Sequence, residues 1–376
     1  MPSPDISPLP PTRLALREFT SQWFLVPQGT GIIALILHQL DCQFRGLKII
    51  SYIFWVITIV LWFAMLLIYG VRSALYPKSV AAALRDTPIE INCLSSISIT
   101  FTSIIQMMAL VLVQGWARGW GIAVYVLWWV NVAMAILACI VLAFFTFRVF
   151  PSKVSSLSPG TQLPFIAALT VAAGGGTVAK YAEISCAQQV AVIIVSYLFL
   201  GTGFTIAFAL DVLYLSRLMH QSLPRAAQAY QDMILCGPWG QGSFALQILG
   251  QVVLTGAFAG EAQGVFLTAR AADPVGFASI FAGLLSWGAG TFWWTFAVFS
   301  ILRGVFNGYR PKPPPFGVYT HAAIQLGKLL DSTAFKVWST VLTILLVVIW
   351  LVNVAQSIRG VLSGSLLGLE HGWRRI

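Results

Sequence analysis

The sequence predicts an all-α membrane protein of ten transmembrane helices paired into five hairpins, and three observations carry that expectation. Of its 376 residues, 58% are hydrophobic and only 9% charged, against about 25% charged in an ordinary soluble domain. The mean hydropathy is +0.84. Charges, glycines and prolines cut the chain into ten apolar runs, most of them near the ~20 residues that a helix needs to cross a ~30 Å hydrocarbon layer. So few charges cannot cover a globule of this size. Lipid asks instead for an apolar exterior with every backbone group bonded internally, which a helix achieves within one segment.

The runs span approximately 23–40, 49–71, 92–113, 121–147, 164–179, 187–215, 234–257, 276–302, 317–330 and 337–358. Runs two, four, six, eight and ten are long and rich in aromatic residues or leucine, whereas one, three, five and seven carry more Gly, Pro, Ser, Thr and Gln. That contrast suggests hairpins that each join a polar-tolerant helix to a lipid-facing one. Run nine is anomalous. Its apolar stretch, 316–330, has fifteen residues and reaches roughly 23 Å at 1.5 Å per residue, short of the ~30 Å core. Pro311, Pro313, Pro314 and Pro315 prevent it from extending upstream. The ninth helix is therefore expected to be truncated.

An even number of helices puts both termini on one side. That side holds fifteen of the 22 Lys and Arg residues, among them Arg72, Lys78, Arg85, Arg148, Lys153, Arg217 and Arg225. The other side holds seven: Arg45, Lys48, Arg118, Lys180, Arg270, Lys328 and Lys336. Positive residues are retained in the cytosol, so both termini are expected there. Residues 1–21 read as a cytosolic tail, 22–360 as the transmembrane domain and 361–376 as a second cytosolic tail. The first tail is Pro-rich, with Asp5 and Glu18 ahead of the first apolar run and no small-residue cleavage site, which argues against a signal peptide.

Several function classes are excluded at this stage. The net charge of +10 sits singly in the gaps between apolar runs, whereas nucleic-acid binders cluster their cations on one face. The five cysteines show neither CxxC nor Cys/His spacing, so neither a disulfide scaffold nor a metal site is expected. No phosphate-binding loop is present and the polar intervals are too short for a soluble domain, so no nucleotide or other cofactor is expected. No Ser/His/Asp constellation is legible, and enzymatic activity is not expected.

The polar-tolerant runs hold the candidate functional residues. Run one contains Pro27, Gln28, Gly29, Thr30 and Gly31, where small residues let a backbone or a permeant ion approach closely, with helix packing as the alternative. Run five contains Gly174, Gly175, Gly176 and Thr177. Three successive glycines cost roughly 1 kcal/mol each in a helix. Unwound backbone along a water-filled path, its freed N–H groups attracting anions, would account for them. Run seven opens with Gly237, Pro238, Trp239, Gly240, Gln241 and Gly242, which reads as another broken, Gly-rich element bearing an amide. Run three adds a hydroxyl-rich series that includes Ser98 and Thr102; each alone can bond its own helix, and together they suit a pore wall. No cation stands in mid-membrane, which implies weak coordination by neutral dipoles. Asp211, an acid well inside run six, is a candidate for proton coupling or for a structural pairing with a nearby basic residue. Lys180 reads either as an attractor of anions at one mouth or as an interfacial lysine.

The Pro-Gln-Gly-Thr-Gly of run one, the alternating hairpins and the Gly-Pro-x-Gly of run seven together resemble the tellurite-resistance/dicarboxylate transporter family. Val124-Tyr125-Val126-Leu127-Trp128-Trp129, the extension through Gln241-Gly242-Ser243-Phe244, and Gln325-Leu326-Gly327-Lys328-Leu329-Leu330-Asp331-Ser332 are most similar to its fungal sulfite-pump branch. The resemblance covers most of residues 20–360. It implies a pseudo-fivefold ring of hairpins whose odd helices line a central pore, a homotrimeric assembly, and movement of small anions without a nucleotide. It further implies sulfite export across the plasma membrane, with malate or another C4-dicarboxylate as the alternative substrate. One departure concerns the ninth helix. Members of that branch carry a further stretch, including a phenylalanine used as a pore plug, where here Phe316 runs directly into Gly317. Phe316 is the only substitute and a weak one, so that gate is not carried over; a lost exon edge in the inferred coding sequence is the favoured cause, with a short, locally thinned or leaky fifth hairpin as the alternative.

Overall fold

The computed structural model describes residues 10–115, 117, 119–149, 157–220, 226–258, 267–308 and 316–369. The proline-rich linker through Pro315 lies outside the described residues, as do Asp5, Arg118, Lys153, Arg225 and the two chain ends. The described residues contain helices and no β-strand. Ten of the helices have thirteen residues or more: α1 (Leu25–Gln39), α2 (Leu47–Leu75), α3 (Ser95–Met108), α4 (Trp120–Ile136), α5 (Leu163–Tyr181), α6 (Cys186–His220), α7 (Cys236–Val252), α8 (Ala269–Phe306), α9 (Gly317–Leu329) and α10 (Thr333–Ser363). Single π-helical turns at Ala109–Val113, Leu137–Leu142 and Val253–Ala257 continue α3, α4 and α7.

Seven of these stretches are long and apolar enough to cross a membrane: α2, α3 with its flanks, α4 with its continuation, α5 with its lead-in, α6, α8 and α10. The chain is therefore an all-α, multi-pass membrane protein. The three that fall short are α1, α7 and α9, with 15, 17 and 13 residues.

Odd and even helices differ sharply in burial. The apolar window of α5 is 100% buried and that of α3 78%, against 17% for α2 and α10 and 28% for α8. The even helices turn side chains such as Phe63, Leu67, Phe281 and Ile344 outward, the arrangement expected of a lipid-facing surface. The odd helices touch one another in a closed cycle, α1 on α3, α3 on α5, α5 on α7, α7 on α9 and α9 on α1. Each odd helix also packs against the even helix that follows it.

Small residues make this crowding possible. The glycines of α5 lie in an unbroken helix, so the unwound backbone expected there is corrected. Successive helical positions point about 100° apart, and the three glycines serve three different neighbours. A Cβ on Gly174 would come 2.5 Å from Thr102 of α3, one on Gly175 2.1 Å from Ser196 of α6, and one on Gly176 2.3 Å from Ile248 of α7. The Trp128 ring of α4 lies beside Gly174 and Gly175 and donates its indole N–H to the Val171 carbonyl at 3.0 Å. Helix α7 is likewise unbroken through Gly237, Pro238, Gly240 and Gly242. Pro238 sits in its first turn, where the missing N–H would have no intrahelical partner in any case. Gly237 makes room for Ile166, Gly242 for the Phe204 ring, and Gly240 for the backbone of Tyr319, which a Cβ would approach to 2.7 Å.

Candidate functional site

The residues that the sequence singles out fall into three groups. The first is structural. Ser98 donates to Oδ1 of the buried Asn131 at 2.8 Å, Asn131 donates back to Thr102 at 2.6 Å, and Thr102 donates to the Ser98 carbonyl at 3.0 Å. This closed circuit joins α3 to α4. Gln106 of α3 donates to Thr177 of α5 at 2.9 Å, and Thr177 donates to its own helix at Ala173. These side chains are satisfied by one another, as buried polar groups are in most folds.

Asp211 belongs to the same group. Its carboxylate accepts hydrogen bonds from Gln162, just ahead of α5, from the Trp239 indole of α7 at 2.6 Å and from the Trp293 indole of α8 at 3.0 Å. The pairing with a basic residue that the sequence allowed is replaced by three neutral donors. A carboxylate has about four acceptor sites, enough for all three.

The second group consists of buried polar atoms with no partner among the described residues. Nine of the fifteen such side-chain atoms lie on α1, α3, α7 and α9: those of Gln28, His38, Gln39, Ser95, Ser96, Gln241 and Gln247, and both ring nitrogens of His321. Leaving a buried polar atom unpaired costs roughly 1–3 kcal/mol, and most of these atoms fall on the inner ring. Gln28 and Gln241 are two of the residues singled out in runs one and seven. Gly29 has open space around the position of a Cβ, whereas Gly31 abuts Ser103 and Thr30 bonds its own helix at Val26.

The third group lies at the C-terminal ends of the odd helices. Lys180 ends α5, Gln251 ends α7, and Gln325 and Lys328 end α9. Gln251 accepts from Lys180 at 2.7 Å and from Gln325 at 3.1 Å. Phe316 caps the start of α9 and packs edge-on to Trp294 of α8, with centroids 6.4 Å apart. Phe244 of α7 is also fully buried and stacks on His321 of α9 at 3.8 Å.

Asn131, Gln247, His321 and the indoles of Trp239 and Trp293 were missed as functional or structural polar residues. Asn131 stands as a lone polar residue in an apolar run, and His321 as the one side chain between Phe316 and Gly327 that ordinarily titrates near neutral pH, a signal that was available. The indoles give no such signal, because tryptophan is common in membrane helices. The Arg72–Glu90 ion pair, 2.8 Å long, was missed as well; both residues are buried, and Ser21 bonds Glu90 through its backbone N–H and its hydroxyl.

An apolar outer shell around a ring of helices with unpaired polar atoms defines a membrane protein built for passage of a polar solute. Residues 18–358 match the family described as voltage-dependent anion channel, SLAC1, and the chain belongs to that family. Among curated proteins it is 31% identical to the sulfite efflux pump SSU1 of Arthroderma otae over 349 residues, covering 92% of this chain and 91% of that one. The protein of the same description from Trichophyton rubrum is 30% identical with the same coverage. The malic acid transport protein of Schizosaccharomyces pombe is 24% identical over 96% of this chain and 82% of its own length.

Proposed function

We propose that the chain exports sulfite across the plasma membrane along a path enclosed by α1, α3, α5, α7 and α9, without nucleotide hydrolysis. In this reading ten helices cross the membrane as five hairpins and residues 22–360 form the transport domain. Residues 1–21 and 361–376 are cytosolic tails, and the exposed even helices meet lipid or neighbouring copies in a homotrimer. The observation that carries it is the closed cycle of five odd helices, which bear unpaired buried amide, hydroxyl and imidazole groups but no Lys or Arg short of their ends. Such neutral dipoles can strip part of an anion's hydration shell and still release it. The efflux-pump relatives share 30–31% identity over nine-tenths of this chain, and the malic acid transport protein 24%. Transport of a C4-dicarboxylate is the second reading, supported by that latter similarity.

Expression in a sulfite-sensitive fungal host tests the assignment. Growth on sulfite is expected to return with no gain in malate uptake. Malate uptake without sulfite tolerance would overturn the first reading in favour of the second. Sulfite current through planar bilayers without a proton gradient would assign passive flow.

A further inference from the structure

We infer that the ends of α5, α7 and α9 form a binding site for a compact, doubly charged oxyanion, held by Lys180 and Lys328 with the amides of Gln251 and Gln325. The inference deepens the sulfite reading and rests on it. Gln251 is the hub, because its Oε1 takes one hydrogen bond from the Lys180 ammonium and one from the Gln325 amide, drawing three helix ends together. Lys328 stands three residues beyond Gln325, on the same face of α9. Its ammonium reaches the Gln39 carbonyl at the end of α1.

Lys180 and Lys328 stand at the ends of two inner helices that both pack on α7, one bonded to Gln251 and the other to the Gln39 carbonyl. Among the described residues, neither has a carboxylate within ion-pair distance. Asp41 stands beyond ion-pair distance but offsets part of the charge of Lys328, and Asp331 is paired with Lys336. A lysine at a helix C-terminus commonly offsets the partial negative charge of the last carbonyls. That role explains each lysine singly. It does not explain why two are gathered where an amide network joins the ends of α5, α7 and α9, with no carboxylate within ion-pair distance of either among the described residues. An ammonium has three donors, and each lysine spends one on a protein oxygen. A pyramidal oxyanion could accept from both ammoniums and an amide at once, through short charge-assisted bonds.

The site also communicates with the interior. His321, Gln325 and Lys328 follow one face of α9, and both His321 ring nitrogens are unpartnered at 1% exposure. Phe244, stacked on that ring, precedes Gln251 by two turns on one face of α7. The cations therefore stand at the end of the polar path. A C4-dicarboxylate, with its charges at two separated ends, suits this single focus less well than a compact dianion.

The test uses the full chain purified into lipid nanodiscs, with sodium sulfite and sodium malate as probes and affinity read by ligand-dependent thermal stabilisation. Sulfite is expected to bind, with Lys180→Gln and Lys328→Gln each weakening it roughly tenfold and Lys180→Arg retaining most of the affinity. Unchanged sulfite affinity in both Gln variants, or no binding of either anion to the wild type, overturns the site. Malate binding in place of sulfite, with the same lysine dependence, would keep the lysines as anion ligands but overturn both the compact-oxyanion site and the substrate reading on which it rests. Loss of affinity in Lys180→Arg equal to that in Lys180→Gln, with the variant still monodisperse, would count against charge as the cause and overturn the site.

Discussion

Trp239 donates its indole N–H to Oδ2 of Asp211 at 2.6 Å, and the bond ties α7 to α6 across 28 residues of chain. With Trp293 and Gln162 on the same carboxylate, one acid fastens four stretches of the helical assembly. Asp211→Asn would replace an all-acceptor group by one carrying its own N–H donors, which cannot satisfy three facing donors. A loss of about 1–3 kcal/mol is expected, read as a lower unfolding temperature in detergent. The residual sulfite flux is expected to keep the wild-type pH profile. A flat profile in a stable Asp211→Asn protein would instead assign Asp211 to proton coupling.

Gly175 is expected to matter through packing. An added Cβ would stand 2.1 Å from Ser196 Oγ and 2.8 Å from the Trp128 ring. Gly175→Ala should cost about 1–3 kcal/mol by overpacking and reduce the yield of folded protein. Ser196→Ala removes the nearest obstructing atom, so the double variant is expected to recover part of the loss in a double-mutant cycle. Additive losses would place the strain elsewhere.

Gln28 and Gln241 should respond in the opposite sense. Each carries a buried Oε1 without a partner among the described residues, so replacing the amide by an apolar side chain of similar size is expected to leave stability unchanged or slightly raised. Sulfite flux, measured in proteoliposomes, is expected to fall in Gln28→Leu and Gln241→Leu. Intact flux with lowered stability would make these amides structural.

Helix α9, at 13 residues, is about 20 Å long, against a hydrocarbon core of about 30 Å. Sequencing the transcript across the codons for Pro315 and Gly317 is expected to reveal additional in-frame codons that lengthen this helix. An uninterrupted message would make the short helix genuine, and bilayer recordings should then show an altered or leaky conductance.

Much of the helical layout was legible because hydropathy is a local property: the apolar runs and the odd-even contrast correspond to α1 to α10 and to their burial. The candidate site was legible only in part. Gln28 and Gln241 stood out as amides in apolar runs, but the direction a glycine faces depends on its neighbours, so Gly174, Gly175 and Gly176 suggested unwinding where they allow three helices to close in. The partners of Asp211 were illegible for a related reason. Its donors come from Gln162, Trp239 and Trp293, the last 82 residues away, and no local pattern announces a partner so distant.

The complete enclosure of α5 by α3, α4, α6 and α7 has a consequence for biogenesis. As the ribosome delivers the chain, α5 emerges before the two neighbours that later cover Gly175 and Gly176 have been made. It must wait in the bilayer as a glycine-notched helix with two unfilled grooves, and only the arrival of Ile248 on α7 completes its surroundings. Nascent chains halted between α5 and α7 are thus the species that membrane quality control should recognise most readily, and the lifetime of that intermediate, rather than the insertion of any one segment, is expected to govern the yield of mature protein.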